Sequence, residues 1–156
     1  MRAGCHRAAA AAVVVAVLAA GCGGSSAPSR ASYGKDVDRI CATLEDRVDA
    51  VQRDRPSTPD ELVAFADKLA RTLDDGVREL KAVDRPDGDD GVKAQRWLDA
   101  LQRQSDDAKA ALAALKEAAR KRDGAAVARA IQRIQSIDSS RVDRLATDAG
   151  ARGCAT

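Results

Sequence analysis

Apolar residues occur along the chain as one unbroken run and then as four longer stretches in which they return at every third or fourth position. That spacing lines up side chains on one face of an α-helix, so the stretches predict four amphipathic helices. The first begins near Lys35 and Asp36 and carries Val37, Ile40, Cys41, Leu44, Val48 and Val51 on one face. Asp38, Arg39, Glu45, Asp46, Arg47 and Asp49 cover the other, and the pattern stops before Pro56. The second opens on Thr58-Pro59-Asp60-Glu61. Thr58 suits the N-cap, Pro59 the first helical position, and Glu61 completes a capping box. Its face is Leu62, Phe65, Ala66, Leu69, Leu73, Val77, Leu80 and Val83, with Gly76 mid-helix, where a neighbour can approach closely.

The third stretch runs from about Asp89 to Arg122 on a face of Trp97, Leu98, Leu101, Ala108, Ala111, Leu112, Leu115 and Ala119. The stripe lapses at Gln104-Ser105-Asp106-Asp107, which predicts a bend or a frayed register. The fourth opens after Asp123-Gly124 with Val127, Ala130, Ile131, Ile134, Ile137, Val142, Leu145 and Ala149, and Gly150 suits a C-terminal cap. Short connections between four helices predict an all-α, antiparallel up-down-up-down bundle over residues 36–156. A bent three-helix domain and an open hairpin pair that dimerises would use the same pattern. Composition sides with helices: apolar residues make up 45%, mostly Ala, while aromatics are 2%, namely Tyr33, Phe65 and Trp97.

The unbroken run, Ala8 to Ala20, is short of the ~20 apolar residues a transmembrane helix needs. With Arg2 and Arg7 ahead of it, it reads as the core of a secretory signal over residues 1–21. Its end, Leu18-Ala19-Ala20-Gly21-Cys22, resembles the lipobox of bacterial lipoproteins, with Leu at −4 and Ala at −3. The resemblance implies cleavage between Gly21 and Cys22 and a diacylglyceryl group on the Cys22 sulfur. An ordinary secretory signal cut near Ala20 or Gly21 is the alternative. Residues 22–35, opening Gly23-Gly24-Ser25-Ser26-Ala27-Pro28-Ser29, read as a flexible tether.

Cleavage changes the charge balance. Of 26 Lys+Arg, Arg2 and Arg7 leave, giving 24 against 24 Asp+Glu. A neutral mature chain gives no reason to expect nucleic-acid binding. His6, the single histidine, leaves as well. Without it the chain cannot build a Ser-His-Asp or Cys-His catalytic set, or a His-containing metal site. No Gly-rich phosphate cradle occurs, and Asp84-Arg85-Pro86-Asp87-Gly88-Asp89-Asp90-Gly91 misses the calcium-loop spacing. The expectation is therefore a chain that is not an enzyme and uses no metal or cofactor. Two cysteines remain, Cys41 and Cys154. In an exported protein the economical reading is a disulfide, the alternative two unrelated thiols. In up-down-up-down order both lie at the same end of the bundle.

Ile40-Cys41-Ala42, the lipobox, the Gly/Ser/Pro tether and the final Gly150-Ala151-Arg152-Gly153-Cys154 resemble small lipoproteins of actinobacteria, whose roles are mostly unknown. The resemblance implies location and architecture: a lipid-anchored domain on the outer face of the cell membrane. The leading functional expectation is a non-catalytic interaction module. A carrier of a small apolar ligand in the bundle core, or an envelope enzyme, are the alternatives. Trp97 reads as core in register with Leu98 and Leu101, or as an exposed anchor for a partner. Topology also divides the charges. Arg53, Arg55, Arg120, Lys121 and Arg122 gather at the end far from the tether, and Asp84, Asp87, Asp89 and Asp90 at the near end. Helix dipoles account for such a division, since cations suit helix C-termini and acids N-termini. A functional account makes the far end a basic tip for an acidic envelope protein or an anionic wall polymer. The oligomeric state is left open.

Overall fold

The computed structural model describes residues 27–155. The expected signal segment, with Gly21 and Cys22, lies outside them. Helix α1 spans Arg30–Arg53, α2 Pro59–Lys81, α3 Gly88–Arg120, α4 Gly124–Gln135 and α5 Ser140–Ala149, and a 3-10 turn covers Arg152–Cys154. The architecture is the expected all-α, up-down bundle, with its fourth segment divided between α4 and α5. Among the described residues no helix is long and apolar enough to cross a membrane.

α2 and α3 form the central hairpin. Asp67 meets Lys116 at 2.7 Å, Asp74 meets Lys109 at 2.6 Å, and Lys81 meets Gln102 at 2.6 Å. Each rung steps seven residues forward on α2 and seven back on α3, the charge ladder of an antiparallel helix pair that keeps its register. Hydrogen bonds from the lysine ammonium hold the Asp67 carboxyl below the usual carboxylate range. α2 begins on the expected capping box: the Glu61 N–H donates to Thr58 Oγ1 at 3.2 Å, and the Thr58 N–H returns to the Glu61 carboxylate at 3.0 Å. Gly76 lies under Leu44 of α1, whose Cδ atoms would stand 2.6 and 2.7 Å from a Cβ there. The close approach expected at this glycine is therefore α1 crossing α2, and Arg47 ties the same two helices to Glu79 at 2.7 Å.

Three local expectations are corrected. α1 starts at Arg30, not near Lys35, inside the stretch read as tether. Ser29 Oγ caps it by accepting the Ser32 N–H at 3.1 Å. Arg30 donates to the Thr147 and Asp148 carbonyls at 3.1 and 2.9 Å, satisfying the open end of α5. The fourth segment breaks between Gln135 and Ser140. There the Ser136 hydroxyl donates to the Arg133 carbonyl at 2.9 Å, and the Asp138 carboxylate accepts the Ser140 N–H at 2.9 Å. Such short-range bonds compete with the helical ladder. The lapse at Gln104–Asp107 is not a fray, since α3 runs through it unbroken.

That lapse marks a waist between two cores. The first, at the tether end, holds Tyr33, Val37, Leu80, Trp97, Leu98 and Ala146, with Cys41 and Cys154 packed against it. The second, at the far end, is built from α2, α3 and α4 around Ala66, Leu112, Leu115 and Ala130, with Leu62, Leu69, Leu73, Val127 and Ile134 beside them. Trp97 is 1% exposed, so the core reading of this residue holds.

The Cys41–Cys154 disulfide spans Cα atoms 5.3 Å apart and 113 residues of sequence. It ties the C-terminal turn to α1, assisted by the Gly153 N–H donating to Asp38 Oδ1 at 2.8 Å. α5 ends as expected on Gly150, at φ 92°. The Ala151 N–H reaches back to the Ala146 carbonyl at 2.9 Å, closing a Schellman turn. Gly34 faces this turn so closely that a Cβ would run into the Gly150 carbonyl oxygen.

Candidate functional site

Each connection at the far end is shaped by its own chemistry. Pro56-Ser57-Thr58-Pro59 cannot continue α1, and the Arg55 N–H folds back to the Arg53 carbonyl at 3.0 Å. On α3, the Asp123 N–H reaches the Ala118 carbonyl and the Arg122 N–H the Ala119 carbonyl, both at 3.0 Å. This is a second Schellman turn, but its left-handed position is held by Arg122 at φ 55° where glycine is usual. Asp123 then caps α4 by accepting the Ala126 N–H at 2.9 Å.

These two connections meet. A groove of about 630 Å³ is lined by Pro56, Thr58, Pro59 and Leu62 from one side and by Arg122 and Val127 from the other. Arg53 and Arg55 border a separate hollow with Asp49 and Gln52. The basic residues expected to share an end are thus spread around the N-terminus of α2. All five are exposed. Lys121 is spent on Glu117 at 3.0 Å, holding that carboxyl below its usual range, and Arg53 Nε donates to the Asp49 carbonyl at 3.4 Å. Among the described residues Arg55, Arg120 and Arg122 form no ion pair.

A second far-end feature escaped the sequence pattern. Between the end of α1 and the start of α2 lies a crevice of about 370 Å³, floored by Val51, Pro56, Ala64 and Phe65. Phe65 was expected on the core face of α2, yet it belongs to neither core and is half-buried. Because α2 is flanked by α1 on one side and α3 on the other, its apolar stripe is wide and its edge turns outward. The signal was present in Val63-Ala64-Phe65-Ala66, an apolar run too broad for one seam.

The tether end differs. Asp90 pairs with Lys93 at 3.2 Å, and Arg30 and Arg152 join Arg85 there, so that end is less acidic than its connection alone suggests. Beside the disulfide an apolar crevice lined by Leu44, Val48, Trp97, Leu101 and Val142 measures about 230 Å³. That is below the ~300 Å³ at which small-molecule sites begin. Among the described residues no group of three His, Cys, Asp or Glu side chains is placed to hold a metal ion. No protein-family model, curated protein or solved structure matches the chain.

Proposed function

We propose that this protein is an extracytoplasmic helical module, anchored by lipid at Cys22, that binds another envelope component through its far end and catalyses no reaction. The observation that carries the reading is the Cys41–Cys154 disulfide. A bond of this kind persists where cytosolic reductants are absent. It also fastens the C-terminal turn beside the start of α1, where the tether enters. The opposite end is then the one directed away from the membrane, and it presents Arg55, Arg120 and Arg122, which form no ion pair among the described residues. Cations of this kind attract an acidic protein or an anionic wall polymer and raise the rate of encounter.

Two measurements test the reading. A thioether-linked diacylglyceryl supplies two chains, enough to hold a protein stably where one is not. Cys22→Ser should therefore release the protein from the membrane fraction or block its processing; normal cleavage with undiminished membrane association overturns the anchor. Changing Arg120, Lys121 and Arg122 to Gln should weaken salt-sensitive retention on purified cell envelopes. Stability should fall by only tenths of a kcal/mol per residue, the scale of exposed dipole interactions. Equal retention across a salt series reduces the basic tip to helix capping.

A further inference from the structure

We infer that the α1–α2 crevice receives an apolar side chain from an acidic segment of a partner protein, with Arg55 engaging a neighbouring carboxylate. The inference rests on the interaction-module reading and names the partner class. Three observations converge. The chain has three aromatic residues; Tyr33 and Trp97 are 0% and 1% exposed, whereas Phe65 stands outside both cores on the crevice floor. An aromatic side chain in a recess is the usual kind of interface anchor. The recess, at about 370 Å³, has room for a Leu- or Phe-sized group.

The rim supplies the third observation. Asp54 is taken by Lys68 at 3.2 Å. The Glu61 carboxylate accepts the Ser57 N–H at 2.7 Å, the Ser57 hydroxyl at 2.8 Å and the Thr58 N–H at 3.0 Å. Of the four charges around the recess, Arg55 is the one with no ionic or capping partner among the described residues. An apolar floor under one unpaired guanidinium is complementary to an apolar side chain flanked by a carboxylate. A sugar-phosphate polymer would satisfy Arg55 and leave the floor wet, forfeiting the ~25 cal/mol per Å² that apolar burial returns.

Phe65 is the single phenylalanine of the chain, so incorporation of 4-fluorophenylalanine places one ¹⁹F reporter in the crevice. The full chain, held in lipid nanodiscs, would be titrated with three probes. These are an end-capped peptide alternating glutamate and leucine, its glycine-for-leucine counterpart, and polyphosphate. The leucine peptide should shift the resonance saturably, at concentrations at least tenfold below either other probe. Arg55→Gln should weaken that binding about two- to fivefold, the range of one exposed ion pair. Trp97 fluorescence should stay constant throughout, showing the fold intact. A silent Phe65 resonance, an equal response to the glycine peptide or polyphosphate, or indifference to Arg55→Gln each overturns the inference. Fractionation of Cys22→Ser does not sense this crevice, so either reading can fail while the other stands.

Discussion

At the tether end Trp97, Tyr33 and Leu98 are sealed among α1, α3, α5 and the C-terminal turn, and a disulfide closes the ring. At the far end Leu112 and Leu115 pack with Ala66 and Ala130 between three helices, with no aromatic and no covalent tie in that cluster. The second cluster has four buried residues against eleven in the first, and burial at ~25 cal/mol per Å² scales with area, so the second core is the weaker. The hairpin rungs cross both regions, but two are partly exposed ion pairs and one a lysine–amide hydrogen bond, each of modest worth. The molecule thus keeps its strength beside the tether and its freedom to yield at the end we assign to the partner. Binding surfaces are commonly drawn from such low-stability regions.

The sharpest way to break this comparison is to remove the staple. Replacing Cys41 and Cys154 with Ser should cost about 4–5 kcal/mol in the chain-entropy model for a loop of this length. Denaturant unfolding measures it, and hydrogen exchange should rise most at the start of α1 and in α5. A loss confined to the far end would invert the picture. Next in size, Leu115→Ala should cost about 3 kcal/mol as a core truncation. Here the loss of helical circular dichroism should precede the change in Trp97 fluorescence, since Trp97 reports the other core. Coincident transitions would show one cooperative unit.

Smaller effects sharpen the contrast. Thr58→Ala should cost about 1 kcal/mol by removing the cap of α2. The donors Ser57 and Thr58 hold the Glu61 carboxyl below its usual range. A lowered folded value stabilises above the unfolded one, and that contribution is lost as pH falls through the folded value. Glu61→Gln should therefore flatten the acid limb of stability below about pH 4. At the strong end, the Tyr33 hydroxyl is buried without a partner, and desolvation, partly opposed by Arg85, pushes its pKa up to about 12. Tyr33→Phe should be neutral or stabilising by up to about 1 kcal/mol. Neutral Tyr33 favours the fold fully below about pH 10, and this is lost as pH rises toward 12, a loss the Phe variant should not show. Smallest, Arg122→Gly should add about half a kcal/mol by relieving a left-handed residue.

Periodicity revealed the helices well where one side of a helix is buried, as in α2 and α3. It failed where other forces act. The first turn of α1 carries one large apolar side chain, Tyr33, and is held by Ser29 and by Arg30 reaching a helix more than 100 residues away. No local window contains that partner. The break after Gln135 was written in Ser136, Asp138, Ser139 and Ser140, yet the apolar spacing ran across it undisturbed. The hairpin register was also present, in Asp67, Asp74 and Lys81 on α2 and Gln102, Lys109 and Lys116 on α3, each set at seven-residue spacing, but a search for apolar stripes does not read polar partners. At the far end the basic residues were visible in the chain. Which of them stay unpaired, and that Phe65 turns away from the core, depend on how α1 crosses α2.

The position of the disulfide also decides how the molecule bears load. Tension between a membrane anchor and a partner at the far end would enter through Ala27 and peel α1 from its first turn. At Cys41 the load would divide, because there the chain is bonded to the C-terminal turn. Unravelling from Arg30 to Ile40 would yield about 20 Å of slack as helical rise is exchanged for extended chain, at the cost of exposing Tyr33 and Val37. Under such a load the domain would act as a spring checked by a covalent bond, and its first give would cost contacts in the tether-end core and none in the far core.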